Sequence, residues 1–253
     1  MKVIISVKDL AKRYGDYEAV KGISFDVMEG EIFGLLGPNG AGKSTTLEII
    51  ETLRSKTSGT VKVCGFCLDN EPEKIKSIIG VQLQTSGFYP GLKLVELIDL
   101  FNGVYNENMD TIELLKLVNL EDKAKSRFKD LSGGQKQRFS VATTLINNPK
   151  IIFLDEPSTG LDPQARRNLW DLIRTIRSRG TTVIITTHYM DEAEYLCDRV
   201  AIMDEGRIIS LDAPDKLVDH LIASGFERKK EFKPANLEDV FIHLTGHTIR
   251  EES

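Results

Sequence analysis

Gly37-Pro38-Asn39-Gly40-Ala41-Gly42-Lys43-Ser44-Thr45 is the stretch that most constrains what this chain can fold into. Gly37, four intervening residues and then Gly42-Lys43-Ser44 fit the spacing of a phosphate-binding loop. Such a loop works only between a strand and a helix. Residues 31–36 read as a short apolar strand, and residues 44–50 open a helix. The glycines at 37, 40 and 42 let the backbone adopt conformations closed to other residues and approach an anion closely. Several N–H groups of the loop, Asn39 and Thr45 included, can then converge at a helix N-terminus, which already favours negative charge. Lys43 supplies a mobile point charge for the β- and γ-phosphates, and Ser44 a hydroxyl for magnesium. The stretch is read as a nucleoside triphosphate site.

The rest of the chain narrows the setting. At 253 residues it holds one large domain or two small ones. Its composition, 41% hydrophobic and 28% charged, is that of an ordinary globular protein. A net charge of −5 argues against a nucleic-acid coat, so no nucleic-acid partner is expected. No apolar run approaches the roughly 18 residues of a membrane span, and the first residues meet charge too early for a secretory signal. Three cysteines suit a reducing compartment. Cys64-Gly65-Phe66-Cys67 has half of a zinc-site spacing but no second pair to complete it, so a structural loop is expected there.

Hydropathy patterning gives an α/β order. Residues 4–9 and 23–27 alternate like half-buried strands, and residues 60–64 follow through a Ser58-Gly59 turn. Residues 78–83, 151–154 and 182–187 are nearly continuous apolar runs, as in parallel strands covered on both faces. Helical spacing appears over 92–104, 111–118, 132–147 and 168–179, with Gly180 ending the last and Trp170 packing beside its stripe. A mostly helical insert of about residues 85–147 thus interrupts the core. Beyond Pro214 the tail is more polar, with a basic run at 228–230 and a short helix expected from Asn236 to Gly246.

Polar residues stand where the apolar strands run out: Gln84, Asp155-Glu156 and His188. In open α/β sheets ligands bind beyond the carboxyl ends of the strands, so these groups should gather where the phosphate loop emerges. Asp155 is the magnesium-side carboxylate, completing a shell with Ser44. Glu156, one residue on and not needed for the metal, is placed to polarise an attacking water. Leu131-Ser132-Gly133-Gly134-Gln135 offers a hydroxyl, bare backbone and a helix start together, a second anion cradle.

Phosphate loop, Leu131-to-Gln135, residues 151–157 and His188 in that order resemble the nucleotide-binding subunit of an ABC transporter, over roughly residues 3–215. The resemblance implies a P-loop NTPase core with a parallel sheet, an antiparallel edge sheet and an inserted α-helical subdomain, followed by a tail at 216–253. It implies ATP and Mg2+ as cofactors, Tyr14 stacking on adenine, and Val20 lining that pocket. Gln84 resembles the residue that senses magnesium and reports to the membrane subunit; residues 158–163 resemble a loop crossing to a partner; His188 resembles the switch histidine on the γ-phosphate. The family also gives the second cradle a use: two chains pair head to tail, and Ser132, Gly133, Gly134 and Gln135 of each close on the ATP held by the other. The partners implied are a polytopic transmembrane permease and a second ATP-binding subunit, at the inner face of the cell membrane. Residues 187–194 and 235–241 resemble the branch that exports drugs, lipids and polymers, although Thr57 and Ala142-Thr143-Thr144 depart from its usual pattern. The rival reading, an ATPase of the same superfamily acting on ribosomes or DNA, expects tandem domains or coiled-coil arms that this sequence lacks.

Overall fold

The computed structural model of the chain describes residues 2–82 and 87–226. They fall into two compact units, one ending at Leu217 and the other starting at Val218. The basic run at 228–230 and the helix expected from Asn236 lie outside the described residues.

The first unit opens on a long hairpin, β1 (Val3–Tyr14) and β2 (Tyr17–Met28), followed by β3 (Ile32–Leu36) and α1 (Lys43–Ile50). Then come β4 (Ser58–Val63), β5 (Phe66–Cys67), α2 (Pro72–Lys76) and β6 (Ile79–Gln82). Three helices form the insert: α3 (Leu94–Tyr105), α4 (Thr111–Leu117) and α5 (Gly133–Thr143). The chain returns through β7 (Ile151–Asp155), α6 (Pro163–Ser178), β8 (Thr182–Thr187), α7 (Met190–Leu196), β9 (Arg199–Asp204) and β10 (Arg207–Asp212). A last helix, α8, spans Pro214–Ala223.

Two sheets result. One is antiparallel, in the order β2-β1-β4-β5; the other runs β10-β9-β3-β8-β7-β6, with β10 antiparallel and its other neighbours parallel. The pleat of the larger sheet divides the interior in two. Ile32, Leu36, Ile152, Leu154, Val183 and Ile185 face a core shared with α3 to α7. Their neighbours Phe33, Leu35, Ile151, Phe153 and Ile184 face a second core shared with α1 and the antiparallel sheet. A strand buried on both faces must be apolar at every position, which is why these runs are continuous. Arg199 joins the start of β9 to that of β3 through a bidentate ion pair with Glu31, 2.8 and 3.0 Å.

Several elements differ from the sequence pattern for identifiable reasons. β1 and β2 reach 12 residues each because register shifts after Val7, Leu10 and Lys12 break the period-2 alternation that would reveal them. Ser58-Gly59 is not a turn but the start of β4; Gly59 has φ +89, and a Cβ there would meet the Asp9 carbonyl at 2.4 Å. Helix α5 stops at Thr143 instead of Asn147: the Thr143 and Thr144 hydroxyls donate to the carbonyls of Ser140 and Val141, bending the chain out of the helix. Helix α6 begins at Pro163, five residues before the expected start at 168, because Asp162 caps it by accepting from the Ala165 N–H at 2.8 Å. Its other end is as expected, with Gly180 in the left-handed region at φ +96. Cys64 and Gly65 (φ 51 and 85) form the turn between β4 and β5, and all three cysteines are free.

The end of α1 carries two local costs. Thr52 has φ 67, and its buried hydroxyl lacks a hydrogen-bond partner. A β-branched residue there is strained by roughly 1–3 kcal/mol. After the entropy cost of glycine, Thr52→Gly is expected to stabilise the protein by about 1 kcal/mol and raise Tm by about 3 °C in differential scanning fluorimetry. An unchanged or lower Tm would show the turn to be relaxed. Beside it, Glu51 is 3% exposed. Burial pushes its carboxyl up to about 8, with the Asp155 and Glu48 carboxylates adding to the effect. Between the ordinary glutamate range and about pH 8 the folded chain therefore holds a proton that the unfolded chain releases, so this site's contribution to stability falls as pH rises. Glu51→Gln, which stays neutral, is expected to gain on the parent from pH 5 to pH 8 by roughly 3 kcal/mol, with the gain absent near pH 4. Urea denaturation at each pH measures the gap; a pH-independent gap contradicts the assignment.

Candidate active site

The loop between β3 and α1 is shaped by backbone contacts. A Cβ on Gly37 would meet the Met203 carbonyl at 2.2 Å, and one on Gly42 the Ala19 carbonyl at 2.5 Å, so neither position admits a side chain. Gly40 (φ +83) faces open space. Gly42 also ends the approach to α1 at φ 97 with no side-chain cap, so the first-turn N–H groups have no partner from the cap residue. Lys43 folds back across the loop: its Nζ donates to the carbonyls of Gly37 at 2.8 Å and Pro38 at 3.0 Å, and lies 3.8 Å from Glu156 Oε1. Burial pushes the Lys43 ammonium below its ordinary pKa, while the carboxylates of Glu156 and Asp155 pull it back up.

Parallel register brings the strand ends together. Asp155 pairs with Thr186 across β7 and β8. The Asp155 Oδ1 accepts from the Ser44 hydroxyl at 3.2 Å and from the Thr186 hydroxyl. Glu156 then turns out of the strand at φ 47, a conformation rare outside glycine and asparagine. Its N–H is fixed by the Thr186 hydroxyl at 2.9 Å. The turn aims its carboxylate at Lys43 on one side and His188 on the other, with His188 Nδ1 3.3 Å from Oε1 but outside hydrogen-bonding angles. The Thr159 hydroxyl donates to Oε2 at 3.3 Å. Strain of this kind is kept where the surroundings over-determine it.

Tyr14, Tyr17, Ala19, Asn39, Gly40, Gly42, Lys43, Ser44, Thr45 and Glu156 line one cavity of about 370 Å³. Tyr14 and Tyr17 pair across the β1–β2 turn and expose their rings, and the Lys12 and Arg54 cations lie 5.0 and 5.5 Å from the Tyr14 centroid. Val20 does not reach this cavity. Its side chain has no exposure and packs in the second core, and the pleat gives the cavity to Ala19 instead. The residues from Ser132 to Gln135 do not line it either. They close on themselves as a capping box: the Gln135 N–H donates to Ser132 Oγ at 3.3 Å and the Ser132 N–H to Gln135 Oε1 at 3.0 Å. Gln84 lies outside the described residues. Sequence reasoning missed Tyr17, Ala19 and Thr186; only the last had a usable signal, as a polar residue near the end of an apolar strand.

A profile of the ABC transporter family matches residues 20–159. Among curated proteins, the chain is 35% identical to "Nod factor export ATP-binding protein I" of Burkholderia orbicola (strain AU 1054) across 98% of both chains. It is 40% identical to the protein of that name from Rhizobium etli (strain ATCC 51251 / DSM 11541 / JCM 21823 / NBRC 15573 / CFN 42), across 97% of this chain and 81% of the relative. Among solved structures, a dimeric post-hydrolysis state of the ATP-binding cassette MJ0796 with ADP and Pi superposes at TM-score 0.74, with 29% identity over 83% of this chain and 98% of that one. The cbiO1 protein from Clostridium perfringens, part of the ABC transporter complex cbiONQ, gives 0.78 and 28% identity over 98% and 100%. By the family profile, the curated relatives and the shared fold, the chain belongs to the ABC transporter family as an ATP-binding, ATP-hydrolysing subunit.

Proposed function

We propose that this subunit is the motor of an exporter, pairing head to tail with a second copy around two ATP molecules and driving a separate polytopic membrane subunit. One observation carries the pairing. The phosphate loop, Tyr14 and Glu156 share a cavity, while the cradle at Ser132 lines none of it, leaving each chain one complete and one open half-site. A dimeric cassette stands among the structural relatives, which supports pairing. Export is the activity in the names of the curated relatives, and no described helix is long and apolar enough to cross a membrane, so the transmembrane path belongs to a partner. The chain then works at the cytoplasmic face of that partner.

Within the site, Lys43 and the free N–H groups at the start of α1 bind and orient the β- and γ-phosphates. Tyr14 and Tyr17 offer exposed aromatic faces to the base. Glu156 takes a proton from the attacking water, with the Thr159 hydroxyl bonded to its other oxygen and His188 beside it. Ser44 Oγ and Asp155 Oδ1 fit magnesium: they are hard oxygen donors 3.2 Å apart, and no cluster of three metal-binding side chains stands among the described residues, so phosphate and water would complete the shell. Bound there, the ion would neutralise charge building on the phosphate oxygens.

Glu156→Gln is expected to bind ATP with unchanged affinity, to lose about 100-fold or more in kcat, and to accumulate as an ATP-dependent dimer in size-exclusion chromatography with light scattering. Near-normal turnover removes Glu156 as the base. Ser132→Arg is expected to abolish that ATP-dependent dimer; its persistence contradicts the shared-site arrangement.

A further inference from the structure

Behind the site, four buried polar atoms lie without hydrogen-bond partners: Ser158 Oγ, Arg166 Nε, His188 Nδ1 and Glu192 Oε2. Ser158 and Glu192 have no solvent exposure at all. A carboxylate oxygen and a hydroxyl left unpaired in an apolar interior are costly, and native folds seldom keep them without a use. The other oxygen of Glu192 is satisfied, since Trp170 Nε1–H donates to Oε1 at 2.9 Å. Burial raises the Glu192 pKa, whereas the Thr187 and Ser158 hydroxyls, the Trp170 N–H and the Arg166 cation favour its charged form. So Ser158 is near Glu192 without completing a hydrogen bond to it.

The places these groups occupy matter more than their number. Ser158 sits in the loop leaving β7, two residues beyond Glu156. Thr187 ends β8, and its Oγ1 accepts from the Tyr189 N–H at 2.9 Å, shaping the turn that holds His188. The Tyr189 ring is itself held between His188, at 4.1 Å between centroids, and Arg166, at 4.4 Å. Glu192 lies on α7, one helical turn past His188, and so touches both the loop of the base and the turn of the histidine.

We propose that Glu192 is a positioning residue for hydrolysis, accepting the Ser158 hydroxyl on its free oxygen when the catalytic conformation forms and so locking the Glu156 loop to the His188 turn. This rests on the reading of Glu156 and His188 as the hydrolytic pair. The chemistry is complementary, because Glu192 Oε2 is an acceptor and Ser158 Oγ a donor that both lack a hydrogen bond, and the nearby Arg166 cation favours the charged carboxylate. The competing role is a simple strut that holds Trp170 between α6 and α7.

Full-length chains carrying Glu192→Gln, Ser158→Ala, both, or Trp170→Phe separate the two roles. The measurements are kcat and KM for ATP, and Tm. Glu192→Gln and Ser158→Ala are each expected to lower kcat about tenfold with KM within about twofold, and the double variant to be no slower than the slower single one. Trp170→Phe, which removes the strut's donor, is expected to lower Tm while keeping most of kcat. Multiplying effects in the double variant, unchanged kcat in both single variants, or losses that follow Tm across the set overturn the proposal. Should Glu192→Gln not fold, Ser158→Ala decides alone: kcat lowered at unchanged Tm supports the lock, and unchanged kcat overturns it. Failure of the underlying reading shows separately, as parental turnover that survives Glu156→Gln while the Glu192–Ser158 coupling is still measured.

Discussion

Strands β3, β7 and β8 are covered on both faces, which leaves the chain nowhere within the sheet to put a charge. Polar chemistry is pushed to the carboxyl ends, and the parallel register decides who meets whom there. Asp155 falls opposite Thr186, and Ser44 enters from the first turn of α1 to share the same carboxylate oxygen. One residue later the backbone turns into the left-handed region, and Glu156 swings away from the metal-side carboxylate toward Lys43 and His188. Two adjacent acids thus acquire different neighbours through backbone geometry alone. Asp155 keeps hydroxyls around it, and Glu156 adds Lys43 and His188 to the one hydroxyl, Thr159, that it holds.

The phosphate loop is clamped as tightly as the sheet beneath it. Met203 of β9 closes over Gly37, and Ala19 of β2 closes over Gly42. Gly206, at φ +79 in the β9–β10 turn, bridges the two clamps: its N–H donates to Ala41 at 3.1 Å, and its carbonyl accepts from Lys21 at 2.8 Å. The antiparallel sheet is therefore fastened to the loop and carries Tyr14 and Tyr17 to the rim of the cavity at a fixed distance from the lysine. In the proposed function, the groups offered to a base and to its phosphates thus sit on two sheets that share a core.

What was legible in the sequence is what local patterns encode. The continuous apolar strands, the phosphate loop and the amphipathic stripe of α6 announce themselves, because each depends on neighbours a few residues away. Bulges hid much of β1 and β2, since a register shift can reverse which parity is buried, as between Val7 and Leu10. The first turn of α6 was hidden because Gln164, Arg166 and Arg167 carry no stripe, and only the Asp162 cap explains its start. Val20 and Ala19 could not be told apart from sequence, because both are buried and only the cavity distinguishes them. The Arg199–Glu31 and Trp170–Glu192 pairs were out of reach for another reason. They join residues brought together only by the finished fold.

The cradle at the start of α5 is connected to the catalytic loop by packing alone. Ser132 and Gly133 are exposed, and their capping box satisfies the helix end without any ligand. Gly134 faces inward, and a methyl group there would meet the Ala165 Cβ at 2.8 Å. Ala165 in turn gives its N–H to Asp162, the cap of α6, which ends the loop that begins at Glu156. The backbone of α5 therefore approaches α6 too closely at Gly134 to admit a side chain there. Asp162 itself stands six residues from Glu156. The exposed cradle is thereby joined through Gly134, Ala165 and Asp162 to the loop that aims Glu156, and in the pairing proposed above a partner at Ser132 has this packed route to that loop.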